Sequence, residues 1–456
     1  MRIINEQVLR GNARSEPLRS LREDALNILC SAVEAVDPRE AVFRVLTSEK
    51  KAVCIKDLTI NEPSRIIVTG GGKASGRMSE AVEMVLGNRI SEGIVIVPKG
   101  TKSSFKLNRI QLAEAPHPIP DESSIEASKR IFSLLTDLEE SDLVLVLISG
   151  GGSSLMTHPA RGVSLEDIQR VTTLLLKSGA TIHELNTVRK HLSAIKGGQL
   201  ARRAYPSQVV SLILSDVVGD RLDVIASGPT SPDDTTFKDA YMVLKKYGLL
   251  EEAGESIRRR LEAGLKGEVP ETPKSGDKTF RRVYNLIIGN NFTAAHAAKK
   301  EAENLGYHSI LLSTRVEGEA KYVGMVCAAI ANEISSTGFP TGRPAAVILG
   351  GETTVKVLGE GRGGRNQELA LSAAMKLDAY QCVIAALATD GVDGPTDAAG
   401  AIIDSCTIER AREAELSPEE YLSNNDSNTF FSTLGDTILT GPTGTNVNDI
   451  LVILAA

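Results

Sequence analysis

The chain has 456 residues, which is too long for one compact core and suits two or three domains of α/β size. Its hydrophobic content of 42% and charged content of 24% are ordinary globular values, so a disordered or fibrous chain is excluded. The net charge is −7 and only 4% of the residues are aromatic, which argues against a nucleic-acid partner. We therefore expect a small polar ligand.

Cysteine usage and the amino-terminal segment indicate where the chain resides. The five cysteines are scattered without a CxxC pair, so reduced thiols are expected in place of a zinc site or a disulfide framework. The first 16 residues lack an apolar signal region, and no apolar run reaches transmembrane length. We predict a cytoplasmic protein that is not exported and has no membrane partner.

The first third of the chain predicts a phosphate-binding unit. Residues 16–36 and 38–46 carry apolar side chains at helical spacing and are expected to be packing helices. A strand over 65–69 then runs into the turn GGGKASG, and a helical pattern follows over 77–86. A strand, a glycine turn and a helix start form the unit from which phosphate-binding βαβ folds are built.

Lys73 stands inside this glycine turn, where its ammonium can meet an anion held by Gly71 and Gly72. Ala74 occupies the position at which a Walker A loop needs Ser or Thr, so the turn is not a P-loop. The glycines also approximate a dinucleotide fingerprint, but the next strand ends in Pro98 with no acidic residue for a ribose. There are two alternatives to an anion site at Lys73. One is that the turn binds a nicotinamide cofactor, and the other is that Lys73 merely faces solvent.

A second glycine cluster, SGGGSS, follows a strand over 142–148 that is predicted to be buried on both faces. Glycines flanked by hydroxyl residues form a concavity of backbone N–H groups that suits an anion. Upstream, His117 lies between two prolines and is interpreted as a turn residue, with a ligand contact as the alternative. The candidate contacts in the cluster are Ser149, Gly150, Gly151, Gly152 and Ser153.

Two further segments contribute polar candidates. Asp216 directly follows a buried strand, at the edge where open α/β sheets bind ligands, and is a candidate general base or metal ligand. Before it, four polar residues recur at helical spacing and are expected to share one helix face, which is either solvated or the wall of a cleft that binds a carboxylate or phosphates. These residues are Asn186, Arg189, Ser193 and Lys196.

The composition changes over residues 267–282, which contain two prolines, two glycines and charges of both signs. Such a segment predicts a linker or an exposed crossover. We place a domain boundary near residue 280 and predict two domains, 1–280 and 281–456.

The C-terminal half repeats the glycine pattern around residues 345–368. An apolar strand is expected to end in a turn at Gly350 and Gly351, and a second, β-branched strand to follow. A glycine loop then carries Arg365 into a helix. Because helix starts present unpaired N–H groups and arginine matches phosphate or carboxylate, this stretch predicts half of an anion site, with a β-hairpin and a solvated basic loop as the alternative. Further candidate ligand contacts here are Glu352 and Asn366.

A loop with three aspartates among glycines, TDGVDGPTDAAG, follows a strand predicted over 382–388. The pattern is not that of an EF-hand. Asp390 in this loop is nevertheless a candidate ligand for Mg²⁺, although loop aspartates are also common in turns.

With these motifs in view, the chain resembles the type II glycerate kinases (glycerate 2-kinases), the family whose C-terminal half is called the MOFRL domain. The resemblance spans nearly the whole chain, and so many long motifs in one order are highly specific. The motifs are GGGKA at 70–74, SGGGSS at 149–154, NTVRKHLSAIKGGQLA at 186–201, SDVVGD at 215–220, SGPT at 227–230, GGETTV at 350–355, GRGGRNQE at 361–368, TDGVDGPTDAAGA at 389–401 and GPTGTNVND at 441–449.

The resemblance implies a Rossmann-like α/β N-terminal domain, a distinct α/β C-terminal domain and an active site in the cleft between them. It also implies ATP-dependent phosphorylation of D-glycerate at the 2-hydroxyl, with Mg²⁺, to give 2-phosphoglycerate and ADP. In that family the lysine of the GGGK turn and the arginine of the GGRNQE loop are the proposed catalytic pair, which correspond here to Lys73 and Arg365. We expect substitution of either residue to lower turnover without unfolding the protein.

Two other functions stay open from the sequence. An NAD(P)-dependent hydroxypyruvate or tartronate reductase would use the glycine-rich first turn, although the acidic ribose partner is missing. A non-catalytic nucleotide-binding sensor would use the same anion sites without turnover. The oligomeric state is also open, with a homodimer as the assembly to test.

Overall fold

The structure is a computed structural model that describes the whole chain, from Met1 to Ala456. The chain divides into two compact units: the first is Pro38–Ile288, and the second is Met1–Asp37 together with Gly289–Ala456. None of the helices is both long and apolar enough to cross a membrane. The α-helices are α1 (Glu6–Gly11), α2 (Glu16–Glu34), α3 (Pro38–Phe43), α4 (Ser75–Leu86), α5 (Glu122–Leu134), α6 (Gly152–Leu155), α7 (Leu165–Lys177), α8 (Ile182–His191), α9 (Gln199–Ala204), α10 (Phe237–Lys246), α11 (Glu255–Leu265), α12 (Asn291–Asn304), α13 (Ala320–Thr337), α14 (Arg365–Ala374), α15 (Thr407–Glu413), α16 (Pro418–Ser423) and α17 (Ser427–Leu434).

The strands form two six-stranded sheets and one small three-stranded sheet. Many of them are apolar and fully buried, as expected where helices cover both faces of a sheet. The strands are β1 (Leu46–Glu49), β2 (Ala52–Ile55), β3 (Leu58–Ile60), β4 (Ile66–Gly71), β5 (Glu92–Pro98), β6 (Ile110–Ala115), β7 (Leu143–Ile148), β8 (Gln208–Leu214), β9 (Val283–Gly289), β10 (His308–Val316), β11 (Ala345–Gly351), β12 (Cys382–Ala388), β13 (Gly400–Asp404), β14 (Thr437–Ile438) and β15 (Asp449–Ala455).

The large sheet of the first unit has the strand order β6-β5-β4-β7-β8-β9. β4 pairs in parallel with both β5 and β7, and β6 and β8 extend the sheet in parallel on either side. The chain therefore runs outward from β4 through β5 and β6, and then continues on the other side of β4 with β7. This reversal makes the carboxyl ends of β4 and β7 the topological switch point, where open α/β sheets bind ligands. The Rossmann-like fold expected for this half is confirmed.

The helix expected to carry Asn186 and Lys196 on one face is interrupted. α8 ends at His191, and the following residues form turns before α9 begins. Gly197 and Gly198 both have positive φ, of 56° and 78°, a conformation that suits glycine and redirects the chain. Helical spacing therefore does not place these residues together; tertiary packing has to do so.

The large sheet of the second unit is mixed, with the order β10-β11-β15-β12-β13-β14. The C-terminal strand β15 lies antiparallel between β11 and β12, and every one of its residues is buried. Helices α13 and α14 pack against each other, and α2 packs against α12 and β12. This sheet and its helices form the separate α/β domain that the resemblance implies.

The first 37 residues belong to this second unit, which corrects the predicted domain of residues 1–280. Arg22 on α2 is fully buried, and its guanidinium donates through Nε to Asp404 at 2.6 Å and through Nη1 to Asp436 at 2.8 Å. Both carboxylates are buried with it. A buried guanidinium is costly without such partners, so these ion pairs fix α2 to the edge of the mixed sheet.

Residues 267–282, which were expected to be a linker, are part of the first unit. Thr272 is buried, and the Glu271 carboxylate accepts a hydrogen bond from the Phe237 backbone at 2.9 Å. Strand β9 then completes the large sheet beside β8. The chain therefore leaves this unit only at Gly289, the last residue of β9, because the backbone of this segment is needed to finish the sheet.

Local patterns also missed some strands and predicted one that does not form. The small sheet β1-β2-β3 and strand β13 were not predicted. The expected turn at Gly350 and Gly351 is absent, because both residues belong to β11 and pair with β15. Gly351 has a φ of 151°, and a Cβ there would lie 2.1 Å from the Val316 carbonyl oxygen, so its glycine permits close strand approach. No second strand follows it.

Candidate active site

The carboxyl ends of β4 and β7 are held together by hydrogen bonds between their loops. The Lys73 backbone N–H donates to the Gly150 carbonyl at 2.8 Å, and the Ala74 N–H donates to Ser149 Oγ at 3.0 Å. Gly72 has a φ of 154°, and a Cβ there would lie 2.1 Å from Ser149 Oγ. The glycines of the first turn therefore let the two loops approach each other. The structure thus brings the GGGK turn and the SGGGSS segment to one place.

Three ionisable side chains converge over Gly150 and Gly151. A Cβ on Gly150 would lie 2.2 Å from Asp216 Oδ2, and a Cβ on Gly151 would lie 2.9 Å from His117 Cδ2 and 3.4 Å from Lys73 Cγ. Gly151 also has a φ of 79°, so its backbone conformation favours glycine as well. Lys73 and His117 are exposed and Asp216 is half-buried, so all three side chains are accessible to a ligand.

His117 was interpreted from the sequence as a turn residue, yet its ring packs on Gly151. The imidazole is partly desolvated by the surrounding protein although the residue is exposed, and this desolvation and, secondly, the Lys73 ammonium lower the pKa of His117 below its ordinary value. The imidazole is therefore mostly neutral at neutral pH and can accept a proton. A histidine between two prolines is typical of a turn, and no local pattern indicates that it lies against the loop of another strand.

The SGGGSS segment keeps backbone donors available. The N–H groups of Gly150, Gly151 and Ser153 donate to no acceptor within the protein, whereas Gly152 N–H donates to the Ser149 carbonyl at 3.2 Å. Neighbouring N–H groups beside a lysine form a concavity that suits phosphate oxygens.

Asn186 and Lys196 hold the SGGGSS segment in place through hydrogen bonds. Lys196 Nζ donates to the carbonyls of Ser153 and Met156. The Ser153 hydroxyl lies 2.8 Å from Ser227 Oγ, which donates to Asn186 Oδ1 at 3.0 Å. Asn186 and Lys196 are each only 4% exposed. Both side chains therefore position the loop, and their contact with substrate stays a prediction.

Arg189, by contrast, faces a cavity of about 310 Å³ that Ser193 and Lys196 also line. Its Nε is buried without a hydrogen-bond partner, and no carboxylate pairs with its guanidinium. Burial lowers the pKa of Arg189 to about 10, so the side chain is still charged at neutral pH. Three residues of the expected face therefore meet at one cavity, even though they do not share a helix.

In the second unit, Arg365 at the start of α14 is held by two carboxylates. Its Nε and Nη2 donate to Asp449 at 2.6 and 3.0 Å, and its Nη1 donates to Glu352 at 2.7 Å. Burial alone would lower the pKa of Arg365, but these carboxylates raise it. Glu352 is thus a partner of Arg365, and its predicted contact with phosphate would have to be made through that arginine. Asp449 was not predicted, because it lies on β15 far along the chain.

The N-terminus of α14 is already occupied by a side chain. Asp393 accepts hydrogen bonds from the backbone N–H groups of Asn366 at 3.0 Å and Gln367 at 2.9 Å. Asn366 is fully buried, and its Nδ2 donates to the same carboxylate at 3.2 Å. The negative group that a helix start favours is therefore an internal aspartate. Asn366 thus holds the cap, and its contact with a ligand phosphate stays a prediction.

The glycine loop before α14 is filled by its own chain in the same way. The Arg362 N–H donates to Asp426 Oδ1 at 2.9 Å, and the Gly361 N–H donates to the Asn424 carbonyl at 3.0 Å. A Cβ on Gly361 would lie 2.3 Å from Asp426 Cβ. These glycines allow two protein segments to pack closely, which uses the N–H donors of Gly361 and Arg362, whereas those of Gly363 and Gly364 have no acceptor within the protein.

The two candidate metal ligands lie in different surroundings. Asp216 is at the switch point beside the available N–H groups, whereas Asp390 accepts the N–H of Val392 at 3.1 Å in a turn. No three His, Cys, Asp or Glu side chains gather into a site that could hold a metal by themselves. Mg²⁺ needs only one or two carboxylates beside substrate phosphates, so Asp216 fits it better than Asp390 does.

Comparison with known proteins first defines the class of protein. Residues 24–262 match the family model described as a domain of unknown function, DUF4147, and residues 345–449 match the MOFRL family. The two matches fall on the large parallel sheet and on the mixed sheet, respectively. The chain thus combines an α/β domain that carries the Lys73 site with a MOFRL domain that carries Arg365.

The relatives narrow this class. A D-glycerate 2-kinase from Thermotoga maritima is 45% identical over 95% of this chain and 98% of its own. The crystal structure of a glycerate kinase from the same organism superposes with a TM-score of 0.86 at 43% identity, over 96% of this chain and all of that one. A putative hydroxypyruvate reductase from Agrobacterium vitis is 42% identical over 95% of this chain and 94% of its own. The chain belongs to the glycerate 2-kinase family, and it is an enzyme.

Proposed function

We propose that this enzyme transfers the γ-phosphoryl group of ATP to the 2-hydroxyl of D-glycerate, giving 2-phospho-D-glycerate and ADP. The observation that carries the proposal is the convergence of Lys73, His117 and Asp216 over a loop with available N–H groups. Phosphoryl transfer depends mainly on positioning and on stabilisation of negative charge. A cation, oriented donors and a proton acceptor at one switch point supply these requirements.

Each group has a part in this reaction. Lys73 and the N–H groups of the SGGGSS segment hold the phosphate oxygens of ATP. As the bond between the γ-phosphorus and the ADP oxygen breaks, the glycerate 2-oxygen bonds to that phosphorus and its proton passes to Asp216 or His117. Mg²⁺, when bound beside Asp216, neutralises charge on the phosphates. If Asp216 binds the metal, His117 is left to accept the proton.

Two arginines complete the proposal. Arg189 lines the first unit's cavity without a carboxylate partner, and it pairs with the glycerate carboxylate. Arg365 enters through the family resemblance: three of its five N–H donors are used by Asp449 and Glu352, and two are left for a ligand. That Lys73 and Arg365 act on the same phosphoryl group stays a prediction, as do the homodimer and the compartment.

The reaction and its regiochemistry are tested in one assay. ATP and D-glycerate are supplied with Mg²⁺, and the product is coupled to enolase, which dehydrates 2-phosphoglycerate and leaves 3-phosphoglycerate unchanged. We expect an enolase-dependent signal matched by ADP release, with none from L-glycerate or without ATP. A signal that needs added phosphoglycerate mutase would assign carbon 3, and ADP release that does not depend on glycerate would exclude the kinase.

The reductase is the second candidate, because one relative carries that name. It requires binding of NADPH or NADH, yet β5 ends in Pro98 and Lys99 without an acidic group for the ribose. Oxidation of either cofactor with hydroxypyruvate, followed by absorbance under the same conditions, tests it. We expect no turnover above the rate without enzyme.

A further inference from the structure

The cavity that Arg189 faces has walls of two different kinds, and we name it the Arg189 cavity. Its polar lining includes Arg189, Lys196, Ser193 and Thr172, with no Asp or Glu anywhere in the lining. The rest of the lining is mainly apolar. The residues that form this apolar part include Pro118, Ile119, Ile168, Leu176 and Leu185.

The polar end lacks partners that a folded protein normally supplies. Arg189 Nε and Thr172 Oγ1 are both buried without any hydrogen-bond partner. An unpaired charge in a site that excludes water is expensive, and a hydroxyl without a partner adds to that cost. Nothing in the lining offsets these costs, because it contains no carboxylate, and burial together with the Arg189 charge holds the pKa of Lys196 well below its ordinary value. The site is therefore complementary to an anion.

The apolar part sets the kind of anion. Glycerate is a three-carbon acid with a hydroxyl on each of its two other carbons, so it has no apolar surface to bury against Ile168 or Leu185. A volume of about 310 Å³ is at the lower end for small-molecule sites and exceeds what a molecule of that size occupies. A ligand that uses the whole cavity has one acidic group and an apolar body.

The cavity adjoins the loop at which phosphoryl transfer is proposed. Lys196 lines the cavity and donates to the Ser153 carbonyl of the SGGGSS segment. Pro118, which also lines the cavity, directly follows His117, which packs on Gly151. The cavity is therefore joined to the Lys73 and His117 loop through Lys196 and Pro118.

We propose that the Arg189 cavity is the acceptor pocket and that its substrate class is 2-hydroxy carboxylates with an apolar side chain, with glycerate as a small member of that class. This inference rests on the proposed function. The same chemistry applies to every member: the 2-oxygen bonds to the γ-phosphorus, ADP leaves, and the hydroxyl proton passes to the neighbouring base. The apolar chain adds burial against Ile168 and Leu185.

The test compares D-2-hydroxyisocaproate with D-glycerate, using calorimetric binding without ATP and ADP release with ATP. We expect the longer acid to bind at least as tightly as glycerate and to release ADP. Arg189→Met should weaken both acids by about tenfold or more, since it removes a charged hydrogen-bonding partner. Lys177→Met, an exposed change at the end of α7, should leave both unchanged.

Thermal unfolding separates a binding role of Arg189 from a structural one. Because Arg189 has no partner in the protein, Arg189→Met should keep or raise the melting temperature, whereas a structural arginine would lower it. Equal binding by Arg189→Met and the unsubstituted protein would overturn the inference, as would failure of the longer acid alone. Displacement of the acid by adenosine would also overturn it, because the cavity would then take the nucleobase. Arg189-dependent binding without ADP release from any acid would support the carboxylate site and reject the kinase.

Discussion

The Lys73 loop and the Arg365 loop share a sequence pattern, in which glycines lie between a strand and a helix together with a strongly basic residue, yet they differ in what occupies their donors. At the Lys73 loop, Gly150 and Gly151 leave N–H groups without an acceptor, and ionisable side chains gather above them. At the Arg365 loop, Asp393, Asp426 and Asn424 accept several of the N–H groups, and only those of Gly363 and Gly364 are left without an acceptor among the loop glycines. Glycine clusters therefore predict close approach, and only the tertiary structure says whether a ligand or the protein itself approaches.

The same contrast applies to the two basic side chains. Lys73 is exposed, whereas the Arg365 guanidinium is tied to Asp449, whose side chain is only 2% exposed. Removing a partner from a buried charge costs far more than removing an exposed charge. The sequence leads to the expectation that both residues can be substituted without unfolding the protein, and the structure changes that expectation for Arg365.

Arg365→Met should have the largest effect. It removes the guanidinium that pairs with the buried Asp449 carboxylate, whose pKa burial raises to about 7, so above that pH we expect the free energy of unfolding to fall by about 3 kcal/mol, in addition to a large loss of turnover. Chemical denaturation of the purified variant measures the first effect. The double variant Arg365→Met with Asp449→Asn is the control, because it removes the stranded charge and should recover much of the stability. Unchanged stability in Arg365→Met would show that the ion pair is not maintained in solution.

Lys73→Met should lower turnover by about a hundredfold or more, as expected for loss of an electrostatic stabiliser, with no loss of stability. The initial rate with ATP and D-glycerate measures the first effect, and the melting temperature measures the second. Lys102→Met, in the exposed segment after β5, is a matched control with no expected effect on turnover. A Lys73→Met variant with near-normal turnover would place the phosphoryl site elsewhere.

The smallest expected effect is on the pH dependence of turnover, and it concerns His117 beside Lys73. Burial and Lys73 lower its pKa, so the neutral imidazole persists below the ordinary histidine range, and protonation sets in only as the pH falls through the lowered value. The acidic limb of kcat/KM should therefore lie below about pH 6.5, the unperturbed histidine value, and should be lost in His117→Gln. An acidic limb that is unchanged in His117→Gln would assign the proton to Asp216.

Titration of His117 by NMR provides a readout that does not depend on activity. In Lys73→Met the neighbouring ammonium is gone, so the pKa of His117 should rise toward its ordinary value. A His117 pKa that is equal in both proteins would show that the two side chains do not approach each other in solution.

The elements themselves were largely predictable. Continuous apolar runs predicted β7, β8 and β12, and the strand, glycine turn and helix unit predicted β4 and α4, because burial on both faces and the needs of a tight turn are local properties of the sequence. The prediction of a second strand after Gly351 was wrong. A glycine inside a strand and a glycine in a turn cannot be told apart from the sequence until the neighbouring strand is known. Residues 267–282 were misread for the same reason: their composition suits a linker, yet they lead into a strand that the sheet requires.

Three features of this protein follow from its sequence alone. They are the α/β class, the glycine and polar residues at the ends of the strands, and the order of motifs that marks the family. Which of these polar residues reach a ligand was decided by tertiary structure. Asn366 is bonded to Asp393, and Lys196 donates to the Ser153 carbonyl while it lines the Arg189 cavity. His117 packs on Gly151, and Arg189 has no carboxylate partner. The physical reason is that a hydrogen bond or ion pair depends on atoms from segments far apart in the chain, such as Arg365 with Asp449 and Arg22 with Asp404, and local spacing contains no record of those distances.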